Sequence, residues 1–264
     1  ARGRGREAGE WSVSEREWFD WVVMAIFGAA VVTAVAVVFI SAPYGRHTRE
    51  GWGPSLPGRL AWILMETPPV VFFAWVFWQG AARGEWIPLI FQALWQVHYV
   101  HRAFIFPFRL RIGGKRTPWV IVVLALVFNV PNAYVNARWI SHFGVYESAW
   151  LWSPAFGLGV LLFGAGLLIN LHSDSILMNL RGPGETGYKI PRGGLFRWVT
   201  APNYLGELLE WLGWAVATWS LSGLAFFVYA VANLAPRAWT HHRWYREQFP
   251  DYPKKRRALV PFLF

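Results

Sequence analysis

The sequence predicts an all-α polytopic membrane protein of seven transmembrane helices, with its N-terminus outside and its C-terminus in the cytoplasm. Three observations predict it. Apolar residues make up 55% of the 264 positions and charged residues only 15%, against about 25% charged in ordinary soluble domains. Aromatics are abundant, with 19 Trp, 20 Phe and 9 Tyr. The apolar residues fall in runs long enough to cross a hydrocarbon core, which takes about 20 residues per helix. A chain so poor in charge cannot cover itself for water. That excludes a disordered protein, a nucleic-acid-binding domain and an ordinary soluble enzyme, despite the net charge of +10. With no Cys, disulfides, thiol chemistry and Cys-ligated zinc are excluded as well.

Residues 1–17 read as a disordered basic tail, and 18–264 as one seven-helix domain. Trp21 to Ala42 carries no charge. It is too long for a signal-peptide core and is taken as a retained helix. Leu60 to Ala82 holds one carboxylate, Glu66. Trp86 to Phe108 is apolar except around His98, Tyr99, His101 and Arg102. Thr117 to Ala137 holds Asn129, Asn132 and Asn136, and Ser148 to Leu171 holds Asn170 at its end. Tyr204 to Tyr245 spans 42 residues, roughly 63 Å as a helix. That is twice a bilayer, so it is folded into a hairpin at Ser220-Leu221-Ser222-Gly223.

With seven spans, 18 Lys and Arg fall on the side of the C-terminus and six on the other, Arg102 lying within a span. The excess marks the cytoplasmic side. The host is either a bacterial cytoplasmic membrane or the endoplasmic reticulum.

A charged side chain inside a bilayer costs about 2.5–3.5 kcal/mol on insertion scales, so a retained one needs a reason. Glu66 precedes Thr67-Pro68-Pro69. Gln92, Gln96 and Tyr99 share one helix face by spacing, and Arg102 follows one turn later. The pattern fits a buried polar pocket in which a carboxylate orients a phenol or histidine toward an oxygen of an apolar ligand. Interhelical hydrogen bonding is the plainer alternative.

Residues 170–211 are the least ordinary segment. Asn170 and Asp174 share a face. Arg181-Gly182-Pro183-Gly184 ends the helix, and Arg181, Lys189, Arg192 and Arg197 supply positive charge for phosphates. Asn203, Glu207 and Glu210 share the next face, and Asn233, Arg237, His241 and Tyr245 recur every four residues on the last helix. A polyanionic, aromatic ligand such as a dinucleotide would satisfy this set. A basic loop resting on anionic lipid would account for the Lys and Arg but not for the rest. No GxGxxG, GxxxxGK[ST] or HExxH is present, so a nucleotide site would be embedded among helices. No metal site is expected, His241-His242 being adjacent and divergent on a helix.

From Asn170 to Phe264 the chain resembles the steroid 5α-reductases. The resemblance rests on N-L-H-S-D, L-R-G-P-G-E-T-G-Y-K-I-P-R-G-G-L-F, A-P-N-Y-L-G-E-L-L-E-W, A-T-W-S-L, H-H-R-W-Y and the closing D-Y-P-K-K-R-R-A-L-V-P-F-L-F. Further matches lie at Tyr44-Gly45-Arg46-His47, at Ala61-Trp62 leading to Glu66, and at Val97-His98-Tyr99 with His101-Arg102. The resemblance implies a seven-helix enzyme reducing the Δ4 double bond of 3-oxo steroids with NADPH. It makes Tyr99 the donor to the steroid 3-oxo group, supported by Glu66, with Trp62 and Met65 beside the steroid. It gives NADPH to Asn170, Asp174, Arg181, Tyr188, Asn203, Glu207, Arg237, His241 and Tyr245, with Tyr44 and Arg46 covering the cofactor and Arg116 at its 2′-phosphate. Residues 18–145 would then mainly form the steroid slot and 146–264 the cofactor site. Two positions depart from the pattern: Met65 stands in place of a Gln, and Leu124 in place of a basic residue.

The expected partners are a small steroid and the bilayer, with no nucleic acid and no obligatory protein partner. The alternatives are a related membrane NADPH reductase of sterol-ring, polyprenol or enoyl substrates, an isoprenylcysteine-type methyltransferase, and a non-catalytic sterol-binding protein.

Overall fold

The computed structural model describes residues 14–39, 51–110, 114–182, 185 and 187–264. Among them run helices α1 (Glu15–Phe39), α2 (Gly58–Trp78), α3 (Trp86–Val100), α4 (Phe106–Arg109), α5 (Trp119–Arg138), α6 (Pro154–Asn179), α7 (Pro202–Thr218) and α8 (Leu221–Gln248). Five helical segments are long and apolar enough to cross a membrane: Glu15–Phe39, Gly58–Trp78, Trp119–Phe143, Pro154–Asn179 and Leu221–Gln248. The remaining two predicted spans take a different form. A π turn at His101–Ile105 divides the run from Trp86 into α3 and α4. α7 is 17 residues long and carries Glu207 and Glu210.

The π turn has a local cause. Pro107 has no N–H, and its ring would collide with the Ala103 carbonyl of a regular helix. The chain widens just before it, so the Phe106 N–H bonds to the His101 carbonyl. That leaves the Arg102 carbonyl without its α-helical donor, and Trp62 Nε1 donates to it at 3.0 Å. Proline acts similarly in α2. Pro69 cannot donate to the Met65 carbonyl, and Asn129 Nδ2 from α5 takes its place at 2.7 Å.

Several predicted boundaries are corrected. The all-α class gains a short antiparallel ribbon, β1 (Ser55–Pro57) with β2 (Arg116–Pro118), pairing Ser55 with Pro118 and Pro57 with Arg116. Each strand ends on the proline that opens the following helix, so the ribbon ties the starts of α2 and α5. Residues 15–17, assigned to a disordered tail, are the first turn of α1. There Arg138 grips Glu15 through Nε at 2.6 Å and Nη2 at 2.8 Å. Ser148–Trp152 is a 3₁₀ turn rather than part of a span, and α6 runs on to Asn179. The last hairpin turns earlier than predicted. Trp219 adopts the left-handed conformation at φ 47°, and Ser220 caps α8 by accepting from the Gly223 N–H at 2.9 Å. The carbonyls left open at the end of α7 are taken by side chains: Tyr146 Oη donates to Thr218 O at 2.7 Å and Trp150 Nε1 to Ala217 O at 3.0 Å. Burial raises the Tyr146 phenol above its ordinary range.

Helices α6 and α7 pack closest. A Cβ on Gly166 would strike the Glu210 backbone N, and one on Gly213 the Phe163 backbone N. Backbones that near let short polar side chains meet between helices. The main core lies among α2, α3, α7 and α8, where Trp95, Trp211, Trp214, Phe73 and Phe226 are buried. Outward faces of α1, α5 and α6 stay apolar, as at Val31, Val127 and Leu161. After α8 the chain returns beside 198–201, with Arg257 N donating to Trp198 O at 2.8 Å and Thr200 N to Arg257 O at 2.8 Å.

Candidate functional site

Arg102, held in the π turn, sits at the junction of four helices. Its guanidinium approaches Asp174 Oδ2 on α6 at 3.4 Å and Glu207 Oε2 on α7 at 3.7 Å. It also lies over the rings of Trp62, at 4.9 Å, and Phe106, at 4.5 Å. A cation with two carboxylates and two aromatic faces is well compensated for leaving water. Asn203 Nδ2 donates to Asp174 Oδ1 at 3.1 Å, and Asn170 Nδ2 to the Asn203 carbonyl at 3.0 Å. Asn170, Asp174, Asn203 and Glu207, singled out by spacing, are thus brought into one network. Arg102 is its organiser, although the sequence marked it only as polar.

Tyr99 lies one turn before Arg102, boxed by aromatic rings. Trp211 stacks on it at 5.5 Å, with Trp95 and His98 each at 4.8 Å. Glu66 is within electrostatic reach of Tyr99 and Arg102. No hydrogen bond joins Glu66 to Tyr99 among the described residues. Trp62 flanks the same region, its indole N–H committed to the Arg102 carbonyl. Met65 stands on the same helix turn as Glu66. Leu124 is exposed on the outer face of α5.

Toward the end of the bundle where Lys and Arg are most numerous, Tyr204 Oη meets His241 Nε2 at 3.3 Å, and Tyr245 Oη donates to the Lys189 carbonyl at 3.5 Å. Arg237 lies one turn before His241 on α8. The Tyr188 ring is edged by Trp244 at 5.0 Å, with Arg181 at 5.9 Å and Lys115 Nζ at 5.8 Å. Arg181 Nη1 also donates to Gly187 O at 3.3 Å. Glu185 is bound by Lys189 Nζ at 2.6 Å and by the Gly182 N–H, and these bonds hold its carboxyl below the usual range. Arg116 is placed apart from these groups, its guanidinium bonded to Ser55 in the ribbon. Its neighbour Lys115 is the residue that reaches Tyr188. Tyr44 and Arg46 lie outside the described residues.

Two features escaped the sequence. His98 Nδ1 and Glu210 Oε1 form a fully buried hydrogen-bonded pair at 2.8 Å, joining α3 to α7. Only their shared polarity in apolar runs signalled it. The second is the seating of the C-terminal segment. Thr200 Oγ1 sits between His242 Nδ1 at 2.6 Å and Tyr252 Oη at 2.7 Å. Arg256 Nη2 donates to Pro191 O at 3.2 Å.

The arrangement offers a phenol donor in an apolar box, and one turn away a set of amides, carboxylates and cations suited to a polar, anionic molecule. Comparison with known proteins points the same way. Residues 115–264 match the family described as 3-oxo-5-alpha-steroid 4-dehydrogenase. A steroid 5-alpha-reductase of Solanum lycopersicum is 43% identical over 256 residues, covering 95% of this chain and 99% of its own length. The 3-oxo-5-alpha-steroid 4-dehydrogenase 1 of Bos taurus is 42% identical over 255 residues, with 95% and 99% covered. That of Rattus norvegicus is 46% identical over 239 residues, with 89% and 91% covered. At such identity over most of both chains, the chain belongs to the 3-oxo-5-alpha-steroid 4-dehydrogenase family.

Proposed function

We propose that this protein reduces the Δ4 double bond of 3-oxo-Δ4 steroids to 5α-dihydro steroids, using NADPH. The observation that carries this reading is the Tyr99 box set one turn from the Arg102–Asp174–Asn203–Glu207 network. A donor for a carbonyl and the cation that gathers the polar seat lie one turn apart on the run from Trp86 to Arg109. The donor set fits a dinucleotide phosphate. Arg181, Lys115 and Lys189 supply charge for phosphates, and Asp174, Asn203 and Glu207 supply hydrogen-bonding groups for the polar sugar and amide ends. Asn170, Arg237, His241 and Tyr245 complete the wall, with Tyr188 an aromatic face at its edge. When bound, NADPH supplies the hydride.

An isolated C=C resists hydride addition, whereas an enone accepts it because charge moves to the carbonyl oxygen. Tyr99 donates to that oxygen as the charge develops. Such a donor in a dry site acts mainly on the transition state and is worth roughly 3–4 kcal/mol by analogy with oxyanion-hole deletions. Glu66 supports the phenol through its nearby charge, and Trp62 and Met65 line the steroid slot. Hydride reaches C5 and a proton reaches C4.

All seven apolar runs span the membrane in this reading, α3–α4 and α7 included. The cofactor network faces the cytoplasm, where the Lys and Arg concentrate. Residues 18–145 mainly form the slot and 146–264 the cofactor site.

The test is steroid-dependent oxidation of NADPH by the purified chain in detergent, with the product identified. Testosterone or progesterone should give the 5α-dihydro product. Bound NADPH without steroid-dependent oxidation would move the substrate to another enone, and failure to bind NADPH would overturn the reading.

A further inference from the structure

Tyr99 has no hydrogen-bond partner among the described residues to fix its hydroxyl. Its direction is set by the rings around it, and one of those rings is itself locked. His98 packs edge-on against Tyr99 at 4.8 Å and against Trp211 at 4.6 Å. Its Nδ1 is tied to Glu210 Oε1 at 2.8 Å. The two side chains are 4% and 0% exposed, and Glu210 Oε2 is buried without a partner. Buried polar groups are expensive to strand, so a buried pair with one oxygen unsatisfied calls for a reason. Neither member lies in the Arg102–Asp174–Asn203 chain of contacts.

We propose that His98 and Glu210 are positioning residues that aim the Tyr99 hydroxyl at the substrate carbonyl. The inference rests on Tyr99 being the donor. Glu210 fixes the plane of the His98 ring, and that ring, wedged with Trp211, fixes the tilt of Tyr99. Loss of the tie frees the imidazole to turn and the phenol to follow. A misplacement of about 1 Å in a reacting group costs on the order of 100-fold in rate.

The experiment uses the full chain in detergent with four variants: Tyr99→Phe, Glu210→Gln, Glu210→Leu and the double variant His98→Phe/Glu210→Leu. Three quantities are read: kcat and KM for a 3-oxo-Δ4 steroid, the dissociation constant for NADPH, and the infrared carbonyl stretch of the bound steroid. Glu210→Leu should lower kcat by about 10- to 100-fold. NADPH affinity should hold, and the carbonyl stretch should move toward its position in Tyr99→Phe. Glu210→Gln keeps an oxygen for the imidazole N–H and should stay within about threefold of the parent. The double variant removes both partners and leaves no stranded polar atom. It decides the matter if Glu210→Leu loses NADPH binding through misfolding. Parent-like kcat and stretch in the double variant would overturn the proposal, and so would Glu210→Gln falling as far as Glu210→Leu. Full rate and an unchanged stretch in Tyr99→Phe would show that the underlying donor assignment fails, and the positioning role with it.

Discussion

Arg102 compensates two carboxylates from different helices, so its removal is felt in both stability and binding. Replacing it with Gln leaves Asp174 and Glu207 facing each other without a cation. Breaking a fully buried pair costs about 3–5 kcal/mol. Side-chain exposures of 16% for Arg102 and 18% for Glu207 place this case at the lower end or below. Thermal unfolding in detergent should show a clear drop, and NADPH affinity should fall with it. Unchanged values in both would remove Arg102 from the centre of the network. Asn129 is a cleaner case. Its amide serves the Met65 carbonyl that Pro69 leaves open, so Asn129→Ala should cost about 1–2 kcal/mol. A neutral result would mean that another donor serves that carbonyl. Much at this scale was legible in the sequence, because ionisable residues in apolar runs are rare and helical spacing sorts them onto faces. Asn170, Asp174, Asn203 and Glu207 were found that way. His98 with Glu210 was not, nor was Asn129 with Met65. Spacing within a helix says nothing about which turn of a distant helix lies opposite.

Elements were legible where apolar runs were uniform and less so where backbone exceptions intervened. The starts and ends of α2 and α5 follow their Pro and polar flanks. The π turn before Pro107 was invisible to a count of apolar residues, yet it aims Arg102 and frees the carbonyl that Trp62 takes. The hairpin was misplaced because its turn uses Trp219 in a left-handed conformation, a residue no turn signal would choose. The α6–α7 contact is the element-scale feature with the sharpest test. Gly166 and Gly213 face backbone atoms across the interface, whereas Gly164 faces open space. Gly166→Ala and Gly213→Ala should push the helices apart and cost about 1–3 kcal/mol as overpacking. Gly164→Ala should be neutral, or stabilise by up to about 1 kcal/mol through helix propensity. Gly166→Ala should also weaken NADPH binding, because Asn170 lies one turn away and bonds across to Asn203. Equal effects at Gly166 and Gly164 would show that close approach is not what the glycine provides.

For the molecule as a whole, the alternation of helices between two ends makes a prediction about sidedness. The starts of α1, α6 and α8 gather at one end, with Glu15 held by Arg138 and Tyr146 capping α7. The ribbon, the loop after α6 and the C-terminal segment gather at the other, where Arg109 Nη2 donates to Ser175 Oγ at 3.1 Å. Lys and Arg concentrate at that second end, and the proposed orientation, which follows the positive-inside rule, puts it in the cytoplasm. The C-terminal segment is seated by backbone pairing and by the side chains of Tyr252 and Arg256, contacts that composition does not reveal. It packs beside 198–201 and shares the side of the network that carries Arg181 and Tyr188. The absence of Cys from the chain makes a direct test simple. Glu147→Cys and Lys254→Cys each place one thiol at an exposed position at opposite ends. In intact cells a membrane-impermeant maleimide should label Glu147→Cys and spare Lys254→Cys, and inside-out vesicles should reverse the pattern. Labelling of both from one side would deny that the two ends face opposite compartments. The reverse pattern would turn the network proposed to hold NADPH away from the cytoplasm and, with it, from the compartment that maintains reduced nicotinamide.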